Sequence, residues 1–319
     1  MQLIDAAALR ALLSMDELLD AVEGAFRDVA LGRDRSPLRT AVAIQGGTLL
    51  LMPGVRDGGA GSTVKLVTVM DANPARGLPT VQAVVAWFDG HTGAPEFLLD
   101  GPTLTAMRTG AASGVATRLL ARPDSKVLAM LGAGAQAEWQ VRAVAAARPI
   151  NEVRIHAPSP TRREALAASL REGLALDCRA VAGAEEAVRG ADVVCCATTS
   201  TTPVFDAAWV SPGTHVNGIG AFRLEMVELP PALFGRASRV AVDAVAAVEA
   251  EAGDLMAAVA AGAMARDGYL EIGSVPREWA ATRDREAITI FKSVGLAIQD
   301  LAAAEVVVRR WRDRPVSDR

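Results

Sequence analysis

Residues 127–138, VLAMLGAGAQAE, run from an apolar stretch through small residues into helix formers. An apolar strand that meets Gly132-x-Gly134-x-x-Ala137 and continues as a helix is the setting of a dinucleotide-binding fingerprint. Gly132 permits the tight turn, and Gly134 lets the backbone approach a pyrophosphate. Ala137 tolerates close packing, Ala135 and Gln136 open the helix, and the helix N-terminus supplies positive potential. An ordinary strand-to-helix turn has the same residues, so the neighbouring rhythm decides between them. Strands are expected at 126–131, 152–157, 177–181, 191–197, 214–219 and 239–243, with helices near 135–148, 161–172 and 184–190. That alternation predicts a Rossmann-type doubly wound parallel sheet over 121–293. The Ala-rich stretch AAVAAGAMA is read as helix.

The first part of the chain has a different pattern. LRTAVAIQGGTLLLMP is two apolar runs around Gly46-Gly47, STVKLVTVM is a further strand, and VQAVVAWFDGHTGAPEFLLDG turns at Asp89-Gly90 and Gly93. Together with an opening helix, these predict an α+β domain over 1–120 with an antiparallel or mixed sheet. A helix opened by Pro102-Thr103 closes it near Ala121. The final amphipathic helix within 294–319 is expected to return to this domain, and the tail RDRPVSDR to fray.

The 319 residues suit about two domains at roughly 100–200 residues each. A net charge of −4 argues against nucleic acid or an anionic membrane as partner, and no apolar run is long enough to span a bilayer. The first residues carry no signal-peptide pattern, so a cytoplasmic protein is expected. Cys178, Cys195 and Cys196 read as buried, reduced thiols, since neighbours in a strand point to opposite faces. His91, His156 and His215 occur singly, without metal-ligand spacing or a nearby nucleophile pattern, and no metal site is expected.

Two basic residues sit in apolar surroundings. In LTAMRTGAASG (104–114), Leu104, Arg108, Ala111, Ala112 and Val115 share one helix face, and a guanidinium on a packed face requires an anion. Lys65 shares a strand face with Thr63 and Val67, which fits either an edge-strand guard or a functional cation. Arg39 alone reads as a surface arginine. At the end of strand 152–157, Ala157 stands where an acidic residue would hold the adenosine ribose. Ser159, Thr161, Arg162 and Arg163 could instead surround a 2′-phosphate, although both arginines also fit solvated helix positions. NADP is therefore expected ahead of NAD.

With these residues in view, the chain resembles the ornithine cyclodeaminase/mu-crystallin family. The resemblance rests on LLLMPG, VKLVTVMDANPARGLPTVQAVVAWFDGHTGAP, LTAMRTGAASGVATRLLA, LGAGAQAE, VDAVAAVEAEAGD and TIFKSVGLAIQDLAAA, in family order. It implies a homodimer paired through the first domain, and an NADP- or NAD-binding second domain. It also implies that Arg39, Lys65 and Arg108 hold a substrate carboxylate, with Lys65 and Arg108 catalytic. Thr80, Arg108, Thr109, Ala135, Gln136, Thr198 and Ser293 match cofactor- or substrate-lining positions, and Val294 matches a substrate contact.

One segment departs from the family. Cyclodeaminases resemble G-x-D-x-P-G-K-x-E-L where this chain has GAFRLEMVEL, so Phe222 replaces the aspartate, Leu224 the proline and Met226 the lysine. Mu-crystallin-like imine reductases also lack that aspartate and keep an arginine at the position of Arg223. Cyclodeamination needs a carboxylate to manage the attacking water's proton, and phenylalanine has none. The resemblance thus implies NAD(P)H-dependent reduction of an imino acid, either a cyclic ketimine carboxylate or an imine of a 2-oxo acid. An ornithine cyclodeaminase using another base, such as Glu225, and an idle NADP-binding protein are the alternatives.

Overall fold

A computed structural model describes residues 1–315 and divides the chain into two compact units. One is Met1–Arg108 with the chain from Leu296 onward; the other is Thr109–Gly295. The division falls inside the helix that carries Arg108, not after it at 120/121. The chain returns at Leu296 rather than at 294. Residues 316–319 of the tail expected to fray lie outside the described residues.

The first unit opens with β1 (Gln2–Ile4), α1 (Ala6–Leu12) and α2 (Met15–Ala30), followed by β2 (Thr40–Ile44), β3 (Gly47–Gly54), β4 (Gly61–Val69), β5 (Val81–Asp89) and β6 (Pro95–Asp100). The strands form one mixed sheet in the order β1-β6-β5-β4-β3-β2, antiparallel except for the β1–β6 pair. Ser14 caps α2 by accepting from the Glu17 amide, and Leu18, Leu19, Val22 and Phe26 form its buried stripe. Burial alternates along β4: Thr63, Lys65, Val67 and Val69 are inside, and Leu66 faces out. The outer face is apolar and open, with Val42, Leu49, Leu51, Leu66, Val84 and Ala86 aligned across the strands by their register.

Helix α3 (Gly101–Leu120) follows, with Asp100 Oδ1 accepting from the Thr103 amide at its start. It is buried nearly all round, Leu104, Ala111, Ala112 and Val115 included.

The second unit then alternates: β7 (Val127–Leu131), α4 (Ala137–Ala147), β8 (Glu152–His156), α5 (Pro160–Gly173), β9 (Asp177–Ala180), α6 (Ala184–Val188), β10 (Val193–Cys196) and β11 (His215–Gly218). After these come α7 (Pro231–Phe234), β12 (Ala237–Val242), α8 (Val245–Glu251), α9 (Gly253–Ala260), β13 (Leu270–Glu271), α10 (Trp279–Thr282) and β14 (Ile288–Lys292). All eight strands are parallel, in the order β13-β12-β14-β11-β10-β7-β8-β9. Leu128, Met130, Val141, Val153, Ile155, Val193 and Cys195 belong to its core.

Two strands beyond those expected complete the sheet. β14 (ITIFK) lies between β12 and β11, fully buried, and β13 adds an edge. The Ala-rich stretch is only partly helical. α9 stops at Ala260, and Gly262 takes a left-handed φ of 68°, which ends the turn at little steric cost.

Last comes α11 (Ala297–Arg312), which belongs to the first unit and packs on α1, α2, β3 and β4.

Candidate functional site

The buried face of β4 and the first turns of α11 bring three charges together in the first unit. Lys65 Nζ lies 2.8 Å from Asp300 Oδ2, and Arg108 Nε donates to Asp300 Oδ1 at 2.9 Å. Arg108 Nη1 donates to Gln299 Oε1 at 2.7 Å, and that same oxygen receives the Leu296 amide. Its other terminal nitrogen, Nη2, makes no hydrogen bond among the described residues. The anion required by Arg108 is therefore already in the chain, as Asp300, and of the guanidinium only Nη2 stands outside these contacts.

Burial sets the electrostatics of this cluster. It pushes the Lys65 ammonium down to about 7, helped by Arg108 and Arg39, while Asp300 acts in the opposite direction. Burial works against the Asp300 carboxylate too, but Arg108 and Lys65 outweigh it and hold the group below the ordinary carboxylate range. Arg39, directly ahead of β2, is half-buried. Thr80 offers its carbonyl to the Met70 amide between β4 and β5.

In the second unit the matching residues gather at the carboxyl ends of the parallel strands. The strand order reverses between β7 and β10, the crevice where open α/β sheets bind ligands. Gly132, at the end of β7, has φ 112°, and a Cβ there would lie 2.6 Å from the Ala197 carbonyl oxygen, so no other residue fits without a shift. Gly134 has open space over its α-carbon, α4 begins without a side-chain cap at Gln136, and Gln136 Oε1 is buried without a partner. This cradle fits a dinucleotide pyrophosphate.

The adenosine end is arranged differently from expectation. Ala157 is buried just past β8, but Ser159 caps α5 by accepting from the Arg162 amide at 3.4 Å, so its hydroxyl oxygen is already engaged. Arg162 is exposed. Arg163 is not a solvated helix position: its Nη1 donates to the Ala157 carbonyl at 3.0 Å.

Buried carboxylates shape the rest of this edge. Glu228 Oε2 accepts from the Thr198 amide and hydroxyl, and its Oε1 from the Gly220 amide, so one side chain ties the ends of β10 and β11. Asp254 Oδ1 accepts from the Glu228 and Leu229 amides, and Lys292 Nζ lies 2.8 Å from Asp254 Oδ2 while donating to the Ala221 carbonyl. Asp243 Oδ2 receives the Ser293 hydroxyl and the amides of Val294 and Gly295, fixing the loop after β14. Ser293 and Val294 are thus held by Asp243. Thr109 is buried at the start of the second unit. Phe222 is half-buried with Arg223 stacked over its ring at 5.5 Å, and Glu225 is exposed.

Sequence reasoning missed Asp300, Gln299, Asp243, Asp254 and Lys292 as members of these clusters. Acids near helix starts and strand ends look like ordinary caps, and their partners lie far along the chain. His215 is buried in β11, with Nδ1 2.9 Å from Thr289 Oγ1 and Nε2 3.1 Å from Asn217 Oδ1, and burial drives it down to about 3. The three thiols are free and buried, and burial pushes Cys178 up to about 11 and Cys195 to about 12.

A model of the Ornithine cyclodeaminase/mu-crystallin family matches residues 2–315. The chain is 36% identical over 323 residues to a Delta(1)-pyrroline-2-carboxylate reductase of Bacillus cereus, covering 100% of this chain and 99% of the relative. It is similar to the solved Thermococcus litoralis Delta(1)-pyrroline-2-carboxylate reductase in complex with NADH and L-proline, with a TM-score of 0.91, 34% identity and 98% of each chain covered. An archaeal alanine dehydrogenase dimer with bound NAD superposes with a TM-score of 0.87 and 33% identity, covering 97% of this chain and 95% of that one. Sequence and fold agree over the whole length: the chain belongs to the ornithine cyclodeaminase/mu-crystallin family.

Proposed function

We propose that the chain is an NAD(P)H-dependent reductase of the C=N bond in small imino acids, with cyclic ketimine carboxylates as the leading class. The observation that carries this reading is the buried pair of Lys65 and Arg108. Two cations against one internal carboxylate leave a net positive pocket suited to a substrate carboxylate. Family membership and the relatives that reduce pyrroline-2-carboxylate support the same reaction.

Gly132, Gly134, Ala135 and Gln136 would hold the cofactor's pyrophosphate, with Thr198, Ser293 and Thr109 of the same unit along the rest of it. When bound, the nicotinamide supplies a hydride. Arg108 Nη2, Lys65 and Arg39 bind the substrate carboxylate and orient the carbon next to it. Lys65, with its ammonium pushed down to about 7, is the group best matched to give a proton to the imine nitrogen near neutral pH. NADPH is preferred over NADH because no acid follows β8 at Ala157, and Arg162, in the first turn of α5, is exposed. The relatives solved with NADH and NAD make this preference the first thing to measure.

Phe222 offers no carboxylate for activating water, which favours plain reduction over ammonia release. Oxidation of NADPH and NADH followed by absorbance with Δ1-pyrroline-2-carboxylate and related imino acids tests the reading. Turnover on at least one of them, with negligible ammonia from ornithine, is expected. Ammonia and proline formed from ornithine at an enzymatic rate would overturn it.

A second copy of this chain covers the open apolar face of the first unit, where Val42, Leu66 and their neighbours lie exposed or half-exposed. Light scattering at micromolar concentration should give a dimer, and Leu66→Lys a monomer. The buried, un-ionised thiols suit a reducing cytoplasm.

A further inference from the structure

The chain carries almost all its cations as arginine: among 33 Lys and Arg residues, the lysines are Lys65, Lys126 and Lys292. Lys126 is exposed, while Lys65 and Lys292 are buried, each 2.8 Å from a buried carboxylate. Arginine cannot lose its proton in a protein and needs room for a planar fork, whereas an ammonium is compact and titratable. At position 65 the chain thus keeps the cation whose charge a neighbour can set.

That neighbour is Asp300. Its side chain is almost fully buried at the start of α11, and its two oxygens divide between the two cations, Oδ1 to Arg108 Nε and Oδ2 to Lys65 Nζ. Arg108 is also pinned through Nη1 to Gln299, which leaves Nη2 as its one terminal nitrogen outside these contacts. The charged groups acting on Lys65 are Arg108 from α3, Arg39 from the approach to β2, and Asp300 from α11; the first two repel it and only Asp300 attracts it.

We propose that Asp300 is a positioning residue of the carboxylate site, an internal counter-charge that holds the Lys65 ammonium and the Arg108 guanidinium side by side before substrate arrives. The role rests on the reductase reading for its purpose, but its geometry belongs to the substrate-free chain. Substrate carboxylate then meets a preformed cationic pair, and its arrival strengthens the proton's hold on Lys65 by adding a second negative charge beside it.

The test uses the full-length chain and Asp300→Asn, which keeps an oxygen for Arg108 and removes the charge. In protein labelled with ¹³Cε-lysine, few resonances compete, and Lys126→Arg and Lys292→Arg assign them. The Lys65 resonance should titrate near 7 in the parent, move to higher pH when the non-reacting monocarboxylate pyrrole-2-carboxylate is added, and move well below 7 in Asp300→Asn. Affinity for pyrrole-2-carboxylate, measured by calorimetry, should fall at least about tenfold at pH 7.5 in the variant and much less at pH 5.5, where Lys65 can still be charged. A Lys65 titration unchanged by Asp300→Asn, or an equal loss of affinity at both pH values, would overturn the proposal in favour of simple packing.

Should Asp300→Asn not fold, Lys65→Met/Asp300→Asn removes the cation along with its counter-charge and should fold better than the single variant. Equal failure of both would also overturn the idea. None of these readings needs turnover, so absence of imine reduction would sink the reductase assignment alone.

Discussion

Replacing Arg108 by methionine keeps length and apolar bulk but removes a guanidinium that is 6% exposed and bonded to two buried partners. Asp300 Oδ1 loses its donor and Gln299 Oε1 keeps only the Leu296 amide, while Lys65 stays 2.8 Å from Asp300 Oδ2. Breaking a buried ion pair by deleting one partner costs roughly 3–5 kcal/mol, and the remaining lysine argues for the lower end, about 3 kcal/mol. Against a total stability of about 5–15 kcal/mol this is a large fraction, so the variant is not a clean probe of binding alone. With a urea slope of about 2–3 kcal/mol per molar, the unfolding midpoint of the first unit should drop by about 1 M. Trp87, buried in this unit, reports the transition by fluorescence. Loss of the repelling guanidinium should also raise the Lys65 titration above 7, opposite to Asp300→Asn. The double variant Arg108→Met/Asp300→Asn removes both members of one buried pair and takes the counter-charge from Lys65, so its loss should differ from the sum of the two single losses. A midpoint within about 0.2 M of the parent's would refute the buried-pair accounting.

Other expected outcomes follow from single observations. His215 is held neutral, with its titration pushed from 6.5 to about 3 by burial, so folded protein binds fewer protons than unfolded protein between those values. Stability from this group is complete above 6.5 and falls as pH drops toward 3. At pH 4.5 the loss should be about 2.5 kcal/mol, measured as urea midpoints, with a flatter profile in His215→Gln. Gly132→Ala should weaken cofactor binding at least about tenfold, since its Cβ would press on the Ala197 carbonyl and its φ suits only glycine; unchanged affinity by fluorescence titration would contradict this. Ala157→Asp should turn a preference for NADPH into one for NADH by repelling the 2′-phosphate, and calorimetry with both cofactors checks it.

Local signals in the sequence carried much of this structure. The run from Val127 to Ala137 contains strand, turn and helix within one stretch, so its fold needs little from elsewhere. The two-residue period of its strand puts Lys65 on one face with Thr63 and Val67 but leaves an edge-strand guard open; in the structure β4 lies between β3 and β5, and that face is buried. β14 was missed because ITIFK is short and joins directly to the loop and long helix that follow, which dominate any window over that region. Asp300 shows the deeper limit. An aspartate in the first turn of a helix is favoured there by the dipole, so nothing about it asks for a tertiary partner. Its role depends on cations that lie hundreds of positions away in sequence and meet it only through the packing of α11 on the sheet.

The scarcity of lysine has a practical consequence. Amine-directed reagents find Lys126, exposed just ahead of β7, and the N-terminal amine, while Lys65 and Lys292 are sealed inside. Lys126 is thus the single exposed lysine of the second unit. It stands at the amino end of its strand, whereas the dinucleotide cradle is built at the carboxyl end. A fluorophore or surface linker attached there would tether the protein without entering the cradle.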